Sequence, residues 1–268
     1  MIVEQFTTTA ADGVPIVVAH YSVAGSADTV IIAHGLPNPF RPSNAKDTDR
    51  GYAGLAEQVA SAGHSAAIFN FRGTGESGGH VQVERWPDDL AAVLDALQER
   101  TGRRRFVVAG FSAGGNAAIR LAARDERVAV LIALAAPSSF RFLPLDAAHE
   151  EFFQAYKAAG LIRPGFEGDA ESWIAGFGQA DALDAMAGCR AERVVLIHGR
   201  ADDTVPVSEA RLLADAAGPK AETILLDGVG HRLRREPRAV AALMATLAAL
   251  PRTEKMERSP QKDGGDGQ

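Results

Sequence analysis

Residues 107–115 read Val107-Val108-Ala109-Gly110-Phe111-Ser112-Ala113-Gly114-Gly115, a Gly-x-Ser-x-Gly pattern that directly follows an apolar run. Helix-forming residues follow Gly115. A serine between a strand and a helix requires a tight turn, and glycines two positions before and after it prevent backbone clashes. The context therefore predicts that Ser112 lies on a strained strand-to-helix turn, with its hydroxyl projecting alone at a helix N-terminus.

Outward from this stretch, short apolar runs alternate with longer Ala-rich segments. Runs that are apolar on both faces are typical of parallel strands covered by helices on both sides. The predicted strands are Val30–Ala33, Ala66–Phe71, Phe106–Ala109, Val128–Ala135, Val194–Ile197 and Thr223–Leu226. The predicted helices are Tyr52–Ala62, Pro87–Arg100, Gly114–Arg124, Ser208–Ala217 and Pro237–Leu250. This alternation predicts an α/β fold with a mostly parallel, doubly wound sheet.

The two ends of the chain depart from the alternation. Val3–Thr8 and Ile16–Tyr21 flank the turn signal Asp12-Gly13, and predict an opening antiparallel hairpin. Residues 251–268 are rich in Lys, Glu, Asp, Gly and Gln, with almost nothing apolar. We expect this tail to be disordered.

A long segment, residues 137–190, separates two predicted strands. Its aromatic residues are Phe140, Phe142, Phe152, Phe153, Tyr156, Phe166, Trp173 and Phe177. We interpret it as a cap or lid over a pocket, inserted into a core of residues 1–136 and 191–250. The alternative is a plain helical layer that packs its aromatic side chains inward.

A serine hydroxyl is a weak nucleophile unless a histidine accepts its proton and a carboxylate orients that histidine. In a strand–turn–helix arrangement of this kind the chain order is serine, acid, histidine. His231, in a Gly-rich loop before the last helix, fits the position of the base. The acid is Asp202 or Asp203, which follow the strand ending at Ile197, and spacing alone does not decide between them.

The same chemistry requires donors for the developing oxyanion. The backbone N–H of Ala113, directly after the serine, is one predicted donor. Ala33-His34-Gly35-Leu36-Pro37 turns sharply after a strand, and the N–H of Leu36 is the predicted second donor because Pro37 has none. We expect His34 to have a structural role in this turn. Arg41, in the following loop, is interpreted as a solvated side chain rather than a substrate ligand.

Composition excludes several classes of function. The chain has 268 residues, a formal net charge of −6 and one cysteine. The acidic balance gives no basic surface for nucleic acid or an anionic membrane. The lone Cys189 forms no internal disulfide, and we interpret it as a small buried apolar residue. Without a metal-ligand cluster or a phosphate-binding lysine motif, the sequence predicts no metal and no cofactor. No signal peptide or membrane-spanning run is apparent, so we expect a soluble cytoplasmic protein.

These motifs together resemble the α/β-hydrolase superfamily, over roughly residues 1–250. The resemblance includes the turn at Ser112, His34-Gly35, the segment His198-Gly199-Arg200-Ala201-Asp202-Asp203-Thr204-Val205-Pro206, the Gly230-His231 loop and Arg72-Gly73-Thr74-Gly75-Glu76-Ser77. It implies that Asp202, rather than Asp203, is the acid, and that Arg72 and Ser77 are structural. It also implies a small cap in the position of residues 137–190.

Within the superfamily the chain is most similar to small bacterial esterase-like and serine-aminopeptidase-like hydrolases. The sequence thus predicts a serine hydrolase of small ester-like substrates that forms an acyl-enzyme through Ser112, His231 and Asp202. Two alternatives remain open. One is a peptidase, amidase or acyltransferase with the same three residues, and the other is a ligand receptor or binding scaffold of the same fold.

Overall fold

A computed structural model describes residues 1–40, 51–143 and 145–251, without the side chains of residues 145–147. The predicted tail at 251–268, apart from Pro251, and Arg41 lie outside the described residues. The strands are β1 Ile2–Thr9, β2 Pro15–Ser22, β3 Thr29–Ala33, β4 Ser65–Phe69, β5 Phe106–Phe111, β6 Val128–Leu134, β7 Arg193–Gly199 and β8 Ala221–Leu226. The helices are α1 Gly51–Ser61, α2 Trp86–Thr101, α3 Ala113–Ala122, α4 Leu145–Ala158, α5 Ala170–Gln179, α6 Leu183–Ala187, α7 Val207–Ala217 and α8 Pro237–Ala248.

The strands form one sheet in the order β1-β2-β4-β3-β5-β6-β7-β8. β1 and β2 form the antiparallel hairpin, and β2 also pairs antiparallel with β4. The other six strands, β3 to β8, are mutually parallel. The predicted fold class is confirmed, including the opening hairpin.

The core lies on both faces of this sheet because the parallel strands are apolar on both sides. Along β5, Val108 belongs to the cluster that packs under α2, α3, α6 and α7. Its neighbours Val107 and Ala109 face the opposite way, into the cluster under α1 and α8. β5 is therefore buried on both faces in the middle of the sheet, and the residue that follows it has a rigid support.

Two predicted strands are too long: Val128–Ala135 by one residue, and Ala66–Phe71 by two. The run Ala66–Phe71 was expected to be extended throughout, but β4 ends at Phe69. Phe71 is apolar because it is buried in the turn after the strand, where its ring stacks on Trp86 at a centroid distance of 4.1 Å. Burial, rather than strand pairing, explains the end of this apolar run.

Residues 137–190 form α4, α5 and α6 between β6 and β7. Asn116 of α3 holds the segment at its start and after α5, since its side-chain amide donates to Pro137 O at 3.2 Å and to Ala180 O at 2.9 Å. Trp173 and Phe177 of α5 are buried in the same apolar cluster as Val81 and Val83 of the core. The aromatic residues of the segment thus pack onto the sheet domain, and movement of the segment as a lid stays a prediction.

In the described part of the chain, no helix combines the length and apolar character needed to cross a lipid bilayer.

Candidate active site

Ser112 lies on the sharp turn between β5 and α3. Its backbone has φ 51° and ψ −123°, a conformation that costs a non-glycine residue free energy. A Cβ on Gly110 would approach Gly114 O to 2.5 Å, so a side chain at this position would collide with the turn. The glycines are therefore required by close backbone approach, and the strained serine is held at the N-terminus of α3.

Three side chains that are distant in the sequence meet at this turn. Ser112 Oγ lies 3.1 Å from His231 Nε2, and His231 Nδ1 lies 2.8 Å from Asp202 Oδ2. Asp202 follows β7 and His231 follows β8, so both come from the edge of the sheet at which β5 ends. The structure brings together the three residues that the sequence singled out, in the order needed to relay a proton from the hydroxyl to the imidazole.

The surroundings of Asp202 favour its ionised form. Its side chain is fully buried, and Oδ1 accepts hydrogen bonds from the N–H groups of Thr204 and Val205 at 2.9 and 2.8 Å. Oδ2 also lies 3.3 Å from Nε2 of the buried His198. Burial by itself would raise the pKa of Asp202, but the hydrogen bonds from His198, His231 and Val205 together hold this pKa well below its ordinary value.

Asp203 occupies a different environment from its neighbour. Its side chain is exposed and accepts a hydrogen bond from the Thr204 hydroxyl at 3.1 Å. It is Asp202, not Asp203, that contacts His231.

The hydrogen bonds fix which nitrogen of His231 carries the proton. A carboxylate only accepts hydrogen bonds, so Nδ1 must donate to Asp202. Nε2 of the neutral ring is then an acceptor and faces the Ser112 hydroxyl. This is the tautomer in which His231 can act as a general base toward Ser112.

The turn after β3 presents a backbone N–H beside the serine. His34 Nδ1 lies 2.7 Å from Gly35 O, so Nδ1 carries a proton and donates to that carbonyl. Gly35 O and the Leu36 N–H belong to one trans peptide unit and point in opposite directions. His34 therefore holds the Gly35 carbonyl on one side and directs the Leu36 N–H to the other.

His34 is suited to this structural role because it is neutral. Its Nε2 accepts the N–H of Phe71 at 3.1 Å, which requires an unprotonated nitrogen. Desolvation in its apolar surroundings lowers the pKa of His34, and the bond to Gly35 O offsets only part of this effect. The ring also packs edge-on against Phe71 and Trp86.

Both predicted oxyanion donors line the same pocket as Ser112. Across the described residues, neither the Leu36 N–H nor the Ala113 N–H donates to another protein group. The turns that carry them are in direct contact, since a Cβ on Gly114 would lie 2.3 Å from His34 O. Two unpaired N–H groups beside a serine are what an oxyanion hole requires.

The pocket above Ser112 has a volume of about 700 Å³. One wall is aromatic, and is formed by Phe40, Phe140, Phe142, Phe152 and Tyr156. The lining also includes the charged residues Asp203, Arg232, Arg235 and Glu236. A pocket of this size and composition suits a small molecule with an apolar portion.

Three contacts of the site were not predicted from the sequence. His198 reaches Asp202, as described above. Tyr52 of α1 accepts the Gly35 N–H at 3.4 Å, and Tyr156 of α4 donates to Pro37 O at 2.8 Å. A buried tyrosine in a helical pattern predicts packing, and no local motif indicates its hydroxyl partner.

The lone cysteine lies in the apolar core. Cys189 is buried, as interpreted from the sequence, and burial raises the pKa of its thiol. Among the residues with described positions, no group of three or more His, Cys, Asp or Glu side chains is placed to hold a metal ion.

Comparisons with known proteins bear on the fold of this chain. A family model described as the alpha/beta hydrolase fold matches residues 28–187. No curated protein matches the chain.

Many solved structures share the fold at low sequence identity. The structure of DcsB in complex with its substrate analogue is 15% identical, with a TM-score of 0.71 over 92% of this chain and 98% of that chain. An esterase of Pyrococcus furiosus is 20% identical, with a TM-score of 0.66 over 92% of each chain. A thermophilic esterase from Thermogutta terrifontis, with malate bound, is also 20% identical, with a TM-score of 0.67 over 92% of this chain and 98% of that one.

These structural likenesses establish the fold, and the family model spans more than half of the 268 residues. The resemblance inferred from the motifs is therefore confirmed: this chain belongs to the α/β-hydrolase fold family.

Proposed function

We propose that the protein is a serine hydrolase of carboxylic esters that works through an acyl-enzyme. The observation that carries the proposal is the continuous chain from Ser112 Oγ through His231 to Asp202, at 3.1 and 2.8 Å. The Leu36 and Ala113 N–H groups line the same pocket and have no acceptor among the described residues, which supports the same proposal. Esterases among the structures with the same fold are consistent with it.

In the first half of the reaction, Ser112 Oγ attacks the acyl carbon while its proton moves to His231 Nε2. His231 Nδ1–H stays on Asp202, which stabilises the imidazolium and does not itself take the proton. The carbonyl oxygen becomes an oxyanion and accepts the N–H groups of Leu36 and Ala113. The C–O bond to the alcohol then breaks, and the alcohol leaves with the proton from Nε2.

In the second half, a water molecule attacks the acyl-enzyme and gives its proton to His231 Nε2. The bond between the acyl carbon and Ser112 Oγ breaks, and Oγ recovers the proton. One ester and one water thus become one acid and one alcohol, and the protein returns to its starting state. No cofactor takes part in these steps.

The aromatic wall of the pocket supports an apolar acyl or aryl group as the preferred part of the substrate. The proposed substrate class is therefore a small ester with an apolar portion. The expected location of the protein is the cytoplasm.

A substrate panel tests the proposal. p-Nitrophenyl esters of increasing acyl length are compared with aminoacyl p-nitroanilides, and with esters offered together with an alcohol acceptor. We expect ester hydrolysis to dominate, and Ser112→Ala to reduce it by about 10⁴-fold or more. Ser61→Ala, an exposed serine at the end of α1, serves as the matched control and should retain full activity.

Three other results of the substrate panel would contradict the ester hydrolase proposal. Faster anilide cleavage would replace the ester proposal by a peptidase, and transfer to the alcohol would replace it by an acyltransferase. Equal activity of wild type and Ser112→Ala would reject the serine mechanism.

A further inference from the structure

Tyr156 connects the segment 137–190 to the turn that carries the Leu36 N–H. Its hydroxyl donates to Pro37 O at 2.8 Å, across 119 positions of the sequence. Tyr156 is only 2% exposed, and its hydrogen bond to Pro37 O is partly buried at the edge of the pocket. Burial also raises the pKa of the Tyr156 hydroxyl, which keeps it in the neutral form that can donate.

The turn at Gly35–Pro37 is held from three directions. His34 fixes Gly35 O, Tyr52 receives the Gly35 N–H, and Tyr156 fixes Pro37 O. The Leu36 N–H lies between these anchors and has no protein acceptor among the described residues. His34 and Tyr52 bond to Gly35, the residue before Leu36, whereas Tyr156 bonds to Pro37, the residue after it.

Tyr156 is itself fixed to the core. Its carbonyl accepts the N–H groups of Leu161 and Ile162, and Leu161 O in turn accepts the N–H of Val81 at 2.9 Å. Its ring lies 4.9 Å from that of Trp173, whose Nε1 donates to Val81 O at 2.6 Å. The hydroxyl is therefore presented by a rigid neighbourhood, which is what a positioning group requires.

We propose that Tyr156 is a positioning residue for the oxyanion hole: through Pro37 O it holds the Leu36 N–H where the oxyanion of the reacting ester forms. This inference rests on the serine hydrolase function proposed above and adds a role for the inserted segment. A small displacement of a donor weakens stabilisation of the transition state more than it weakens binding of the substrate. The hydroxyl should therefore contribute to kcat and contribute little to KM.

The test is Tyr156→Phe, which removes one oxygen atom and keeps the ring. Tyr21→Phe is the matched control, because Tyr21 is a buried tyrosine of β2 that does not line the pocket. Tyr156→Leu is prepared in parallel. Both Tyr156 variants lack the hydroxyl, so a folded sample of either one decides the question.

The readout is the ratio of kcat/KM for a p-nitrophenyl ester to that for the corresponding thionoester, in which sulfur replaces the carbonyl oxygen. Sulfur is a weak hydrogen-bond acceptor, so the thionoester depends little on the oxyanion donors. We expect Tyr156→Phe to lower the ratio by between about 5- and 100-fold through kcat, with KM within about twofold. Tyr21→Phe should leave the ratio unchanged.

A ratio equal to that of the wild type in a folded Tyr156 variant would overturn the inference. So would an equal loss on both substrates, because that result describes general damage to the pocket. Failure of the proposed function is distinguishable from either outcome, since the wild type would then hydrolyse neither substrate.

Discussion

At the scale of single residues, the site depends on the protonation of two histidines with opposite functions. His231 donates through Nδ1 to Asp202 and keeps Nε2 free to accept a proton from Ser112. His34 also donates through Nδ1, but its Nε2 is occupied by the Phe71 N–H, so it has no free position for a second proton. An imidazole ring is thus placed to act as a base at His231 and to act as a fixed support at His34.

The two adjacent aspartates provide a matched pair of substitutions. Asp202→Asn keeps the size of the side chain but removes the carboxylate that orients His231, and we expect kcat to fall by about 10³- to 10⁴-fold. Asp203→Asn should have a far smaller effect, because Asp203 is exposed and bonded to Thr204. Steady-state kinetics on a p-nitrophenyl ester measures both, and similar losses in the two variants would contradict the assignment.

The neutral state of His34 predicts a pH dependence of stability. Because the pKa of His34 is lowered from 6.5 in the folded protein, the unfolded chain binds its proton first as the pH falls. The contribution of the neutral His34 ring to the free energy of unfolding is therefore present above about pH 6.5. It decreases below that pH, by up to about 1.4 kcal/mol at pH 5.5.

Urea unfolding at pH 7.5 and pH 5.5 measures this loss in the wild type and in His34→Gln. The variant has no titrating ring at this position, so its stability should decline less between the two pH values. An identical decline in both proteins would show that His34 is not the group responsible.

At the scale of elements, the site is a contact between two turns that follow β3 and β5. The backbone of Gly114 lies so close to the turn after β3 that a Cβ would be 2.3 Å from His34 O and 2.6 Å from Ala33 O. The same closeness places Gly35 beside Ser112, where a Cβ would lie 3.1 Å from the serine Cβ. The parallel pairing of β3 with β5 thus brings the two predicted oxyanion donors to one place.

Substituting Gly114 tests the role of the contact between the two turns. We expect Gly114→Ala to lower the free energy of unfolding by about 1–3 kcal/mol, because the methyl group must push the two turns apart. Esterase activity should fall as well, since the Leu36 and Ala113 donors separate.

Gly178→Ala is the control for the Gly114 substitution. Gly178 lies in α5 with nothing within 4 Å of its Cβ position, so alanine should be neutral or stabilising by up to about 1 kcal/mol. Urea unfolding and ester hydrolysis measure the two variants. A Gly114→Ala protein as stable and active as the control would contradict the close packing of the turns.

At the scale of the whole molecule, the segment 137–190 and the sheet share one apolar cluster. Phe153, Tyr156 and Trp173 of the segment are buried together with Val81 and Trp86 of the core. Such continuous packing favours cooperative unfolding of both parts, whereas a lid with its own packing would detach first.

The two tryptophans of the chain allow this to be measured. Trp86→Phe leaves Trp173 as the only reporter, within the segment, and Trp173→Phe leaves Trp86 as the reporter in the core. In each variant we expect the tryptophan fluorescence and the far-UV circular dichroism to change at the same urea concentration. Loss of the Trp173 signal well before the loss of helix signal would show that the segment unfolds separately.

Features of the site that depend on local sequence could be predicted, whereas those that depend on tertiary packing could not. Ser112 was predictable because local constraints on a tight turn leave a pattern of glycines around it. The choice of Asp202 over Asp203 depended on the family resemblance, because two adjacent carboxylates satisfy the same spacing. The contact of His198 with Asp202 and the hydrogen bond from Tyr156 to Pro37 were not predictable, because they depend on tertiary packing and leave no periodic or local signal.

Covalent labelling measures whether Ser112 is an activated nucleophile, on which the proposed hydrolase mechanism depends. The wild type, Ser112→Ala and His231→Ala are treated with a fluorophosphonate, and the site of the adduct is mapped by peptide mass spectrometry. We expect one adduct, on Ser112, that is absent from Ser112→Ala and forms far more slowly in His231→Ala. An unlabelled wild type, or equal labelling of wild type and His231→Ala, would contradict this mechanism.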